Sequence, residues 1–229
     1  FDSAAGFSIA DQNGAATFFS DNSSDYFGIY DGDGDGGADF GAATTNPSGV
    51  GPYTSISDNY ITGEDMDAEG DSPPFILTWG SISLNGETAL KISADFASTR
   101  IDADDGITVS YRLDGGTWVD ILGMAGAAGT YNSFPYEITD FSAGTGDSDA
   151  TQVTGAFTNV SNTITLVGTE STSELKAEFV TQNGSDNIAM DNLVLEELSG
   201  SEEQITLSST AATVDESSSL AVTLSVPTN

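Results

Sequence analysis

The chain has 229 residues, 4 Lys plus Arg against 36 Asp plus Glu, a formal net charge of -32, and neither His nor Cys. This excludes thiol nucleophiles, His-based triads, ordinary structural zinc and disulfides, and a field of this sign repels nucleic acid and anionic membranes. Twelve Phe, seven Tyr and two Trp supply a core within 38% hydrophobic content, so the length admits one large all-β domain, or a domain plus a fragment.

The chain starts at Phe1 with neither Met nor a basic-plus-apolar leader, and is read as processed or as a piece of a longer protein. Tyr30-Asp31-Gly32-Asp33-Gly34-Asp35-Gly36-Gly37-Ala38-Asp39 sets carboxylates on alternate residues and separates them with glycines. A backbone that curls at each glycine turns several carboxylates toward one centre, which suits Ca²⁺ with its six to eight oxygen ligands. Asp31, Asp33, Asp35 and Asp39 fall on acidic positions of an EF-hand spacing, with Gly36 at its sharp turn. Ala42 stands where the bidentate Glu belongs and no flanking helices are predicted, so a true EF-hand is not expected. A second acidic run, Glu64, Asp65, Asp67, Glu69 and Asp71, either completes metal coordination begun elsewhere or is a solvated strand end.

Strands are predicted at 75–79 and 90–96, with Asn85-Gly86 between them. Trp79 runs in phase with Phe75 and Leu77, which argues for core. Asp102, Asp104 and Asp105 either cap a loop or bind a second ion; without glycines to curl the segment, the loop is favoured. Ile107, Val109, Tyr111 and Leu113 alternate with polar residues, and Asp114-Gly115-Gly116 leads into a strand at 117–122, the best hairpin signal in the chain. Trp118, just past that turn, is the candidate for stacking on a sugar ring. Further strands are predicted at 163–167, 175–181 and 187–196, and no window shows a 3.6-residue apolar period. Short strands broken by Gly, Asn and Asp predict an all-β jelly-roll β-sandwich with a C-terminal β-strand extension. The sandwich is placed at 1–198 and a linker at 199–203. The two-strand extension spans 204–229, with one strand at 204–208 and a second in which Leu220, Val222, Leu224 and Val226 alternate cleanly. Two strands cannot make a core of their own, so this segment either opens a further domain or pairs with another chain by strand addition.

Gly63-Glu64-Asp65-Met66-Asp67, the strand holding Trp79, Leu90 to Ala97, Val109 to Gly116 and Asp186-Asn187-Ile188-Ala189-Met190-Asp191-Asn192-Leu193-Val194-Leu195 together resemble a jelly-roll module, of carbohydrate-binding-module type. Such modules occur in large secreted or surface proteins of marine and other Gram-negative bacteria. Residues 212–225 resemble the opening of a Calx-beta or related immunoglobulin-like repeat. The first resemblance implies a structural ion tying the first strand to the last, with Asp191 as a ligand, against the plainer reading of a backbone hydrogen bond. It also implies acidic residues at the start of the strand near Glu64.

With 36 acids, carboxylate pairs are uninformative, and no Ser elbow, phosphate loop or His base exists, so an enzyme is not expected. The expected function is a non-catalytic, calcium-stabilised structural or adhesive module of a secreted or cell-surface bacterial protein. Two alternatives stand beside it: a subunit of an extracellular filament that self-associates through the C-terminal strand, and a carbohydrate-binding module of a secreted enzyme, with a glycan as partner. The expected metal ligands are Asp31, Asp33, Asp35, Asp39, Glu64, Asp65, Asp67 and Asp191. Neither a nucleic-acid partner nor membrane insertion is expected, since no apolar run is long enough to span a bilayer.

Overall fold

A computed structural model describes residues 6–21, 25–32, 38–41, 46–47, 50–51, 53–55, 58–67, 72–84, 86–127, 132–141 and 151–198. The expected C-terminal extension and its strand Leu220, Val222, Leu224 and Val226 lie outside the described residues, as do Asp33 and Asp35. Thirteen strands are described: β1 (Phe7–Asp11), β2 (Gly14–Ala15), β3 (Phe19–Ser20), β4 (Tyr26–Tyr30), β5 (Tyr60–Glu64), β6 (Phe75–Ser83), β7 (Ala89–Ser98), β8 (Gly106–Leu113), β9 (Val119–Ala125), β10 (Tyr136–Ile138), β11 (Thr158–Thr165), β12 (Thr172–Val180) and β13 (Ile188–Leu198). Among the described residues there is no helix, and hence none long and apolar enough to cross a membrane.

The strands form two antiparallel sheets, ordered β10-β9-β8-β12-β6-β1-β2 and β11-β7-β13-β5-β4-β3. From β5 to β8, and again from β11 to β13, successive strands fall in alternate sheets, so the chain wraps around one core as a jelly-roll β-sandwich. β12 shows why the sequence folds this way. Ser173, Leu175, Ala177 and Phe179 face inward, while Glu174, Lys176 and Glu178 face out, the period of two that a half-buried strand requires. Phe27 of the second sheet bridges to the first, with its ring centroid 4.8 Å from that of Phe75 and 5.2 Å from that of Phe179.

β5 departs from simple alternation, since all five of its residues are buried. Ile61 faces the core, while Tyr60, Thr62 and Glu64 lie on the opposite face, beneath connecting segments. There Tyr60, Ala97 and Ala189 make a second small cluster with Tyr30, Tyr53 and Phe157 packed on it. Tyr30 stacks on Tyr60 at 5.0 Å, and Tyr53 and Phe157 meet Tyr60 edge-on at 5.6 and 5.2 Å. Gly28 makes this cover possible: a Cβ there would collide with the Asp39 carbonyl oxygen and the Phe40 ring. The cover is pinned by Thr54, whose N–H donates to Gly155 O and whose carbonyl accepts the N–H of Phe157.

The predicted hairpin forms at Asp114-Gly115, where both residues take positive φ (49° and 69°), as a tight primed turn demands. Its second strand begins at Val119, two residues later than expected, which leaves Trp118 in the connection. β6 runs on to Ser83, past the predicted end at Trp79, because Thr172 and Ser173 of β12 continue its ladder. β11 begins at Thr158, well before the predicted 163, since its whole length pairs with β7.

Candidate functional site

Glu64 closes β5 at one end of the sandwich. The resemblance implies that the run Glu64 to Asp67 opens a strand; β5 instead ends there, because Asp65 takes a positive φ and turns the chain. Glu64 is 4% exposed, and one carboxylate oxygen, Oε2, has no hydrogen-bond partner. Tyr53 is half-buried beside the same surface, and its buried hydroxyl likewise has no partner. The side chain of Asn187, just ahead of β13, lies against Glu64. The Asn187 side-chain oxygen accepts the Tyr26 hydroxyl and the Gly51 N–H (3.2 Å), and Thr62 Oγ1 donates to Ile188 O at 2.9 Å. The next residues turn sharply: Asp65 has φ 44° and the Met66 N–H donates to Thr181 O.

Asp25, Asp65 and Asp67 crowd this corner. Burial pushes the Glu64 carboxyl up to about 7; the Asn187 side chain and the nearby Tyr26 hydroxyl pull it down, and the charges of Asp65 and Asp25 push it up again. Asp65 is also raised, first by burial and then by Asp67 and Asp25. Both shifts mean that the anionic forms are uncompensated where they stand. All four basic side chains are engaged elsewhere. Lys91 pairs with Glu196, Arg112 with Glu174 and Lys176 with Glu178, while Arg100 lies over the Phe134 ring. Among the described residues, no three acidic side chains are gathered into a ready metal cage.

The other expected ligands fall elsewhere. Asp31 is held by its backbone, donating to Asn46 Oδ1 (2.8 Å) and accepting from Asn46 Nδ2 (2.9 Å). Asp39 bridges to Ile29, and its carboxylate accepts the Gly41 N–H at 3.1 Å. Asp191 is buried, and its carboxyl is raised by that burial. The register that pairs Ile188 with Gly63 and Met190 with Ile61 carries Asp191 roughly 13 Å along β13 from the level of Glu64, at about 3.3 Å per residue. It lies opposite Asp95 on β7. Asp25 and Asn187, which share the Glu64 corner, are absent from the sequence-based site. Asp25 reads with Asp21 as part of an ordinary turn, and Asn187 looks like an ordinary strand start; only strand pairing brings them to Glu64.

On the outer face of the first sheet, Trp118 is half-buried. The Arg112 guanidinium lies 4.6 Å and the Lys176 ammonium 5.2 Å from its ring. Arg112 in turn grips Glu174 with two bonds, at 3.0 and 2.7 Å. Trp79 packs against the core as expected, but it also lines an open cleft of 440 Å³ with Ile82, Leu175, Leu193, Leu195 and Glu197.

No family model matches the chain, and no curated protein matches it. Among solved structures, it is similar to a family 61 carbohydrate-binding module (TmCBM61) in complex with β-1,4-galactotriose, at 10% identity and a TM-score of 0.36, covering 63% of this chain and 74% of that one. It is similar to the enzymatically active domain of tailspike protein 4 of bacteriophage CBA120, at 9% identity and TM-score 0.42, over 86% of this chain and 20% of that one. It is also similar to the K3 cleaved adhesin domain of Lys-gingipain from Porphyromonas gingivalis, at 13% identity and TM-score 0.38, over 83% of this chain and 89% of that one.

Proposed function

We propose that the chain is a non-catalytic, calcium-stabilised β-sandwich module with a structural or adhesive role in a secreted or cell-surface bacterial protein. One observation carries this reading. Glu64 is a buried carboxylate with an unpartnered oxygen beside three aspartates, in a chain whose few basic side chains are all committed elsewhere. A hard divalent cation supplies the missing charge and draws Glu64, Asp65, Asp67 and Asp25 together against their mutual repulsion. An ion that binds the folded chain alone raises its stability by mass action. The test is thermal unfolding in millimolar calcium and in chelator. Tm is expected to fall on chelation, and to fall by less in Glu64→Gln. Superimposable curves for the native sequence would defeat the reading.

The Trp118 surface supports a second reading, a carbohydrate-binding module. A half-buried indole held between paired cations is a rigid platform for the apolar face of a sugar ring, and the adjoining Glu174 carboxylate can accept sugar hydroxyls. A glycan array read with the native chain and with Trp118→Ala tests it. Signal lost in the variant is expected, and a blank array for the native chain counts against it.

A further inference from the structure

A second set of acids gathers where the connection ahead of β13 meets the connection ahead of β8. Asp102 and Asp105 lie between β7 and β8, and Asp186 between β12 and β13. Asp105 and Asp186 are each 3% exposed, and their carboxylates lie within hydrogen-bonding reach of each other. Asp105 Oδ2 accepts the Asp102 N–H at 3.2 Å. Asp186 Oδ2 has no partner.

Asp102 stands behind the pair with both oxygens engaged. Oδ1 accepts the Asn132 N–H at 2.9 Å, and Oδ2 accepts Asn183 Nδ2 at 3.1 Å. The Asp186 N–H donates to Asn183 O. The connections are therefore already held in place around two facing, buried anions. Such a pair is costly unless something positive lies between them, because a buried charge left unpaired is penalised heavily. A shared proton would satisfy the two facing oxygens and leave Asp186 Oδ2 bare.

We propose that Asp105 and Asp186 hold a divalent, oxygen-seeking cation of the calcium class, which clamps the β7–β8 connection to the β12–β13 connection. The donors are oxygens alone, in a chain without His or Cys, which suits a hard cation and not zinc. Two carboxylates do not complete the shell; main-chain oxygens and water supply the rest of the six to eight ligands that calcium takes. The site is distinct from the Glu64 corner and does not depend on it.

The test counts calcium ions bound per chain, by calorimetry with calcium chloride alone, in the native sequence, in Asp186→Asn, in Asp105→Asn and in the double variant Glu64→Gln/Asp65→Asn. Circular dichroism in chelator checks folding. Each of the first two variants is expected to fold and to lose one ion, or to weaken that ion at least tenfold, while the double variant keeps it. If only the double variant loses an ion, this proposal fails and the Glu64 reading stands. If only Asp186→Asn and Asp105→Asn lose one, the Glu64 reading fails alone. A native chain that binds no calcium ends both. If neither Asp variant folds in chelator, the proposal is also overturned, since the pair would then be holding the connections by hydrogen bonds without an ion.

Discussion

On the outer face of the first sheet, Arg112 meets Glu174, Lys176 meets Glu178, and Trp118 lies against both cations. At the Glu64 end of the sandwich, carboxylates face carboxylates, and burial has raised their affinity for protons. The two regions share one framework, since β8 and β12 carry the paired face and their ends lead into the acidic connections. The difference lies in where the counter-charge comes from. The paired face holds its own cations, so its geometry is independent of the medium. Among the described residues no ion pair reaches the acidic end, so under the proposed reading its stability is expected to follow what the solvent provides, whether protons or metal ions. A chain with 4 basic residues cannot neutralise both regions internally.

The contrast breaks down if the shared core is itself sensitive to ions, so the largest expected effect is the control. Phe27→Ala removes the ring that joins the sheets through Phe75 and Phe179 and should cost about 3–5 kcal/mol. That loss should be the same in calcium and in chelator, as read by denaturant titration. A loss that changes with calcium would tie the core to the acidic end and merge the two regions.

Next in size is the pH dependence of the calcium-free protein. The Glu64 carboxyl sits at about 7 when folded, against an ordinary value of 4.5. Between those two values the folded chain keeps a proton that the unfolded chain has released. Stability therefore falls as pH rises through that window and levels off above about 7. Asp65 and Asp105 shift in the same direction and act with the same sign. Glu64→Gln should raise calcium-free stability at pH 8 by on the order of 2–3 kcal/mol and flatten the slope. Calcium should flatten it in the native sequence. A calcium-free protein that grows more stable between pH 5 and 7 would reverse the sign and refute the account of this end.

Most of the sandwich was legible because its strands announce themselves by alternation. Ile107 to Leu113 and Leu175 to Val180 are half-buried strands that appear where the pattern puts them. β4 and β5 were not, because both their faces are covered: Tyr26, Phe27, Gly28 and Ile29 are all buried, and a strand buried on both sides loses its period. The candidate site was legible in part. Glu64, Asp65 and Asp67 stood out as an acidic run, but Asp25 and Asn187 reach it through the pairing of β4 with β5 and of β13 with β5. The same limit hid the Asp105–Asp186 pair. Each residue reads alone as a turn former, and their sequence separation conceals that the β8–β12 ladder brings the two connections together at Val180 and Gly106.

The smallest effect is expected at Trp118. Replacing it with Ala removes the ring from between Arg112 and Lys176 while leaving both ion pairs in place. A cation–π contact contributes from about 0.5 kcal/mol when exposed to about 2 kcal/mol when desolvated, so for this half-buried ring Tm should drop by a few degrees. Because the counter-charges of this face belong to the chain, that drop should be identical in calcium and in chelator. It should shrink in high salt, where exposed charges are screened. The variant should keep the pH slope of the native sequence, since Trp118 is not among the groups acting on Glu64. Differential scanning calorimetry in the four combinations of calcium or chelator with low or high salt, with the chelator arm run at pH 5 and at pH 8, reads all of this. A Trp118→Ala penalty that grows on chelation would show that the paired face also leans on metal at the acidic end, and the two regions would then have to be treated as one electrostatic unit.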